Sequence, residues 1–292
     1  MISPPGYLRV ILAMVIWGSV SIFVRIADQP APVIVFIRVF TAFIALSLYI
    51  RIRGQSVNLK GKYILSLLSG IALSLTWLFF FKAVQTTIIG NAVLTYYMAP
   101  ILSIIWAYIF LGEKLEKQSL LALGMSCSGI GLILSGYEFS LSGGDFLGIM
   151  YCLIAALFYS MVVIFAKKLT EIEPTHLVTI QMAVSTLIFL PEIVSSHPII
   201  NMTSMLSMVL LGLVHTALAL AFYFGGLRQV KVQHASILAY IEPVSAPIYA
   251  YLLFAEKPTP LTLAGSLLIL IASFLTINSD IPAPQKHENT ET

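Results

Sequence analysis

Charge is what this sequence has least of. Of its 292 residues 10% are charged, 16 Lys and Arg against 13 Asp and Glu, while 59% are hydrophobic and mean hydropathy is +0.95. Soluble domains carry about a quarter charged residues, so a polar shell this thin excludes a water-soluble globule, and the apolar content excludes a disordered chain. Cysteine is scarce too. Cys127 and Cys152 both lie in apolar stretches without metal-ligand spacing, which removes a disulfide scaffold and a zinc motif. A net charge of +3 with no basic cluster leaves no footprint for nucleic acid. The sequence also lacks a His-Glu-x-x-His, a Gly-x-Ser-x-Gly and a Walker loop, so neither an enzyme nor an ATP-driven pump is indicated and no cofactor is implied. Nor is there a ring of like charges or a filter sequence of the kind a channel needs.

What the sequence does have is long apolar runs. A helix crosses the hydrocarbon with roughly 20 apolar residues, and backbone polar groups in lipid must bond internally. The runs do not alternate as barrel strands would. They predict ten helices, at 8–28, 33–52, 63–83, 88–111, 118–136, 146–167, 175–195, 204–226, 232–254 and 260–278, joined by short connectors rich in Pro, Gly and Ser. The partner of such a chain is the lipid bilayer. The first run is span-length, without a basic leader or cleavage site, and reads as a retained helix. Alternate connectors divide the cations unevenly. One side collects Arg9, Arg51, Arg53, Lys60, Lys62, Lys114, Lys117, Lys167, Lys168, Arg228, Lys231 and Lys286; the other has only Arg25, Lys82 and Lys257. The positive-inside rule then puts both termini in the cytoplasm.

The chain also repeats. Shifted by 143 residues against itself, Asn91-Ala92 … Tyr97-Met98-Ala99-Pro100 falls on His234-Ala235 … Tyr240-Ile241-Glu242-Pro243. Gly112-Glu113-Lys114 then falls on Ala255-Glu256-Lys257, and Arg38 on Gln181. The units predicted are 7–137 and 145–278, followed by a polar tail, 279–292. Five spans is an odd number, so the second unit enters the membrane from the opposite side. Inverted-topology repeats mark secondary transporters, with substrate bound near the midplane between the repeats. The fold class expected is an all-α polytopic membrane protein of two inverted five-helix repeats.

These features carry a resemblance. Trp17-Gly18 in the first span, Gly112-Glu113-Lys114 after the fourth, and Tyr240-Ile241-Glu242-Pro243-Val244 with Ala255-Glu256-Lys257 and Leu263-Ala264-Gly265 resemble the EamA-type branch of the drug/metabolite transporter superfamily. The resemblance covers residues 7 to 278. It implies an inner-membrane carrier of small metabolites that works by alternating access, often an exporter of amino acids or toxic compounds. Two departures are Phe158-Tyr159 in place of the Trp-Gly pair, and Ala255 where Gly is usual.

Candidate site residues follow from depth and chemistry. Glu242 lies ten residues into the ninth span, about 15 Å deep, where a carboxylate is costly and faces the interior; it suits a proton carrier or the partner of a cation. Arg38, about 8 Å deep, suits a substrate carboxylate or a gate pair with Glu242 or Asp28, against snorkelling to the headgroups. Pro100 and Pro243 are related by the repeat and interrupt their helices at matching depths, as kinks or gates. Trp17, Trp77, Tyr96, Tyr97, Tyr159, Tyr223 and Tyr240 are the aromatic candidates, able to stack on rings or surround an ammonium. His215 is central in the eighth span and either titrates during transport or bonds a neighbouring helix. Tyr49, Tyr63 and Trp106 read as interfacial. Gly124, Ser128 and Gly131 in the fifth span, with Ala264, Gly265 and Ser266 in the tenth, read as packing sites within or between subunits, in a monomer or homodimer. The function expected is secondary transport of a small-molecule substrate through a cavity lined by the first, fourth, sixth and ninth helices. Export of amino acids or related compounds comes first, with import of a nucleotide-like or cationic metabolite as the alternative and an intramembrane enzyme as a remote one.

Overall fold

The structure is a computed structural model, which describes residues 4–135, 145–196 and 198–279. The connector around Ser142 to Gly144, the boundary at 137, the last residue of the fifth predicted span and the tail beyond Ser279 lie outside the described residues. Ten of its helices are long and apolar enough to span a membrane: α1 (Pro5–Ala27), α2 (Ala31–Ile52), α3 (Tyr63–Thr86), α4 (Gly90–Leu111), α5 (Lys117–Leu134), α6 (Asp145–Lys168), α7 (Pro174–Ser195), α8 (Met202–Leu227), α9 (Val232–Phe254) and α10 (Pro260–Ser279). Each matches a predicted span, within a few residues at the ends.

The chain forms two five-helix repeats of inverted topology. Contacts between helices come in pairs that the repeat interchanges. α3 packs on α6 as α8 packs on α1; α4 packs on α6 as α9 packs on α1; α3 meets α7 as α8 meets α2. The pairs α2/α7, α4/α9 and α5/α10 join each helix to its own counterpart. All of these join one repeat to the other, so the repeats interleave and neither is a body that packs by itself.

Glycines show how close the related helices come. A Cβ on Gly212 of α8 would lie 2.6 Å from the Arg38 carbonyl of α2, and one on Gly70 of α3 would lie 3.2 Å from the Gln181 Cα of α7. Arg38 and Gln181 are themselves related by the repeat. At the α5/α10 crossing, a Cβ on Gly129 would meet the Gly265 carbonyl at 2.7 Å, and one on Gly265 would meet the Gly129 carbonyl at 2.4 Å. Within the chain, the residues singled out in α5 do not make this crossing. Gly124 and Gly131 have nothing within 4 Å of such a carbon, and together with Ser128 they lie on an exposed face; Gly129 makes the crossing. Of the three residues read as interfacial, Tyr49 and Tyr63 are exposed, whereas Trp106 is partly buried with its indole nitrogen enclosed.

Four helices are irregular. The α-helical run of α4 ends at Tyr96 and resumes at Ala99, and that of α9 ends at Leu238 and resumes at Ile241; in between the ladder tightens, Met98 N–H donating to the Thr95 carbonyl and Tyr240 N–H to the Ile237 carbonyl. Pro100 and Pro243 fall in the first turns of the resumed segments, where a helix needs no amide donor. α1 breaks at Ser19, between Gly18 and Val20, and Leu211–Leu218 of α8 is π-helical. Nothing in the sequence pattern marked these last two. Both α4 and α9 end on a left-handed residue, Gly112 at φ 67 and Ala255 at φ 56. The following amides reach back to the carbonyls of Ala107 and Ala250, closing matched Schellman-type turns. Ala255 takes the conformation that Gly112 takes freely, at a steric cost of about 1–2 kcal/mol.

Candidate functional site

Midway through the bundle, the irregular segments bring polar groups to the inner faces of helices that are otherwise apolar. α8 lies against the backbone of Arg38 because Gly212 allows it. In the widened π-helical turn the Thr216 hydroxyl donates to the Leu211 carbonyl five residues back, at 3.0 Å. Its oxygen still accepts a hydrogen bond from Arg38 Nε at 3.0 Å. The guanidinium is also stacked over Trp77 of α3, 5.0 Å from the ring centroid. Arg38 is only 9% exposed, so it is held inside the bundle and does not snorkel. The pairs considered with Glu242 and Asp28 are not formed, and Arg38 forms no ion pair with any described residue. Its terminal nitrogens make no hydrogen bond to any described residue, yet they are not sealed off. A planar donor fork fixed at its base and open at its tip suits a carboxylate or phosphate.

His215, beside Thr216, serves a different purpose. Its Nε2 lies 2.8 Å from the Ser19 hydroxyl and its carbonyl accepts from the Trp17 indole at 2.8 Å. These contacts fasten the break in α1 to the π segment of α8. Trp17 in turn packs against Tyr223, ring centroids 5.4 Å apart.

The other wall comes from α3, α4 and α6. Tyr96 is the last residue before the α4 break and packs against Phe80 at 5.0 Å and Tyr159 at 5.9 Å. The Cys152 thiol donates to the Ala92 carbonyl at 2.9 Å, pinning α6 to this half-helix. Glu242 is the second residue after the α9 break. Its carboxylate pairs with no cation among the described residues and keeps accessible surface. The Tyr96 hydroxyl lies within electrostatic range of Arg38, Glu242 and Tyr223, and Tyr159 within range of Glu242 and Tyr223.

Seven of the sequence candidates are gathered here in two connected groups: Arg38, Trp77, Tyr96, Tyr159, Glu242, Tyr223 and Trp17, with His215 behind them. Tyr97 and Tyr240 are elsewhere. Tyr240 is fully buried with Ile130, Leu134, Val244 and Ile269 towards α5 and α10. Its ring stacks on Tyr97 at 5.9 Å, and its hydroxyl donates to the Tyr97 carbonyl at 3.0 Å, within the α4 break. The pair seals the two helix breaks against each other. These residues come from α2, α3 and α8 as well as from the four helices expected. Thr216 and Ser19 are contributors that no sequence signal singled out, because a hydroxyl in an apolar span reads as packing.

The EamA-like transporter family matches this chain twice, over residues 4–135 and 146–278. Among relatives, an uncharacterised transporter of Archaeoglobus fulgidus is 29% identical, across 91% of this chain and 93% of its own length. The uncharacterised transporter YxxF of Bacillus subtilis is 25% identical, across 92% and 88%. The pseudopaline exporter CntI of Pseudomonas aeruginosa is 23% identical, across 91% and 94%. A solved crystal structure superposes with a TM-score of 0.84 at 17% identity, covering 92% of this chain and 95% of the other, a likeness of fold. With the family model matching both halves of the chain, the protein belongs to the EamA-like transporter family of the drug/metabolite transporter superfamily: a multi-pass membrane transporter, not an enzyme.

Proposed function

We propose that this transporter exports amino acids or closely related metabolites across the cell membrane by alternating access, with both termini in the cytoplasm, driven by proton coupling or exchange. The observation that carries the proposal is that two interior charges have no ion-pair partner among the described residues. Arg38 presents an open guanidinium fork, Glu242 an unpaired carboxylate, and the Tyr96 hydroxyl sits in range of both. A solute bearing a carboxylate and an ammonium neutralises both ends of such a site. An ion in so apolar a setting is otherwise costly by several kcal/mol. One relative is named as an exporter, which agrees with the direction. Because the repeats interleave, the moving units are helix groups drawn from both, with α3 and α6 on one side and α1 and α8 on the other.

The test is counterflow of radiolabelled amino acids in proteoliposomes, with and without a pH gradient. Exchange that needs both the α-carboxylate and the α-amine of the solute is expected. Equal exchange of amino acids and of analogues lacking either group would overturn the proposal.

A further inference from the structure

The two faces of the molecule are in different states. At the face where α9 begins, the turn between α4 and α5 is clamped onto it. Both carboxylate oxygens of Glu113 accept from the Val232 amide at 3.0 Å. Glu116 pairs with Lys231, and at 2.9 Å with His234 Nε2. A carboxylate at a helix start also meets the positive end of the helix dipole. Every residue from Val232 to Ile241 is buried. The repeat relates this half of α9 to the first half of α4, at the opposite face, and there the arrangement differs. Glu256 is the counterpart of Glu113, yet it pairs with Arg25 at 3.2 Å, both side chains more than half exposed. Leu94, Thr95 and Tyr96 keep accessible surface.

We infer that Glu113 and Glu116, with Lys231 and His234, form a gate, closed in this structure, and that in the alternate state Glu256 leaves Arg25 and caps the start of α4 at Ile89 in the same way. The inference rests on the alternating-access reading above. An inverted repeat makes it concrete: exchanging the conformations of the two units turns the closed face into the open one. The gates are unequal. Thr259 and Ile88 stand where Glu116 and Lys231 stand, so the second gate has no counterpart to that ion pair. The protein therefore rests closed at the Glu113 face.

Two pairs of exposed positions, themselves related by the repeat, report on the two gates: Lys114 with Arg228, and Lys257 with Gln85. Each is changed to cysteine in a Cys127→Ala/Cys152→Ser background, spin-labelled, reconstituted in lipid, and measured by pulsed electron paramagnetic resonance. The parent protein is expected to give one short distance for 114/228 and a long one for 85/257. Glu113→Gln with Glu116→Gln weakens charge-assisted bonds and is expected to shift the ratio of states about ten-fold or more. The 114/228 distance then lengthens and the 85/257 distance shortens together, and adding Glu256→Gln removes the shortened population. Lengthening at 114/228 with no change at 85/257, or no change at either, overturns the inference. Should the cysteine-replaced background fail to fold, Thr95→Cys in the native chain serves instead. Its reaction with a maleimide is expected to slow about ten-fold when the two glutamates are replaced, and an unchanged rate overturns the inference. Reciprocal distances without amino-acid counterflow would refute the substrate and leave the gate standing; counterflow without reciprocity would do the reverse.

Discussion

Replacing Arg38 with Met separates a binding role from a structural one. The substitution removes the hydrogen bond to Thr216, worth about 1.5–3 kcal/mol for a charged donor, and the stacking over Trp77, worth about 0.5–2 kcal/mol. It also removes from the interior an ion with no counterion among the described residues, which relieves a desolvation cost of several kcal/mol. Thr216 keeps its own bond to the Leu211 carbonyl, so no buried hydroxyl is orphaned. These terms nearly cancel, and the stability of Arg38→Met in detergent is expected within about 2 kcal/mol of the parent. What disappears is the response to solute: a ligand at a hundred times its dissociation constant adds about 2.7 kcal/mol to the parent and is expected to add nothing to the variant. Thermal unfolding with and without amino acids measures both quantities. A structural staple would behave otherwise, losing about 3–5 kcal/mol when one partner of a buried interaction is removed. A loss of that size, or full stabilisation of the variant by solute, refutes the assignment.

Glu242→Gln is expected to keep solute exchange but lose accumulation driven by a pH gradient; gradient-driven uptake that survives removes Glu242 as the proton carrier. Gly265→Ala places a carbon 2.4 Å from the Gly129 carbonyl, backbone that cannot rotate away, and is expected to cost about 1–3 kcal/mol. Gly131→Ala, with open space around it, is the control and should leave the melting temperature unchanged or slightly higher. Ala255→Gly relieves a left-handed alanine and should stabilise the fold by about 1 kcal/mol; a lower melting temperature would refute the strain. Glu116 supplies a pH dependence. Partial burial pushes its carboxyl upward, but the bonds from Lys231 and His234 outweigh this and hold it below the usual carboxylate range. A carboxylate lowered in the folded state stabilises fully above its unfolded value, about 4.3, and loses that stabilisation as pH falls through the lower folded one. The melting difference between the parent and Glu116→Gln should therefore shrink below about pH 4, and a difference that grows there refutes the pairing.

Much of the site was readable because ions and prolines are rare in lipid-spanning sequence. Glu242 and Arg38 stood out by their charge, and Pro100 and Pro243 by their recurrence at one shift. Aromatic residues were harder to sort. Trp17, Tyr96, Tyr159 and Tyr223 line the interior while Tyr97 and Tyr240 seal the helix breaks, and a one-residue step along a helix turns a side chain by about 100°. No period in an almost wholly apolar span resolves such a step. The choice of Gly129 over Gly124 and Gly131 as the crossing point escaped for the same reason. The π-helical turn at Thr216 was hidden because a widened turn has no residue signature of its own.

By itself the sequence determined the membrane location, the ten helices, their duplication and the odd count that inverts the second copy. Each of these follows from composition, run length or parity, which are properties of the chain read in order. Tertiary structure alone decided that the repeats interleave, that Arg38 finds Thr216 and Trp77 while Glu242 pairs with no cation among the described residues, and that Glu113 holds the start of α9 while Glu256 pairs with Arg25. Those outcomes depend on which faces of helices far apart in sequence come to lie together. Two copies of one five-helix pattern can then adopt unlike conformations, because packing between them, and not local preference alone, sets which gate is closed.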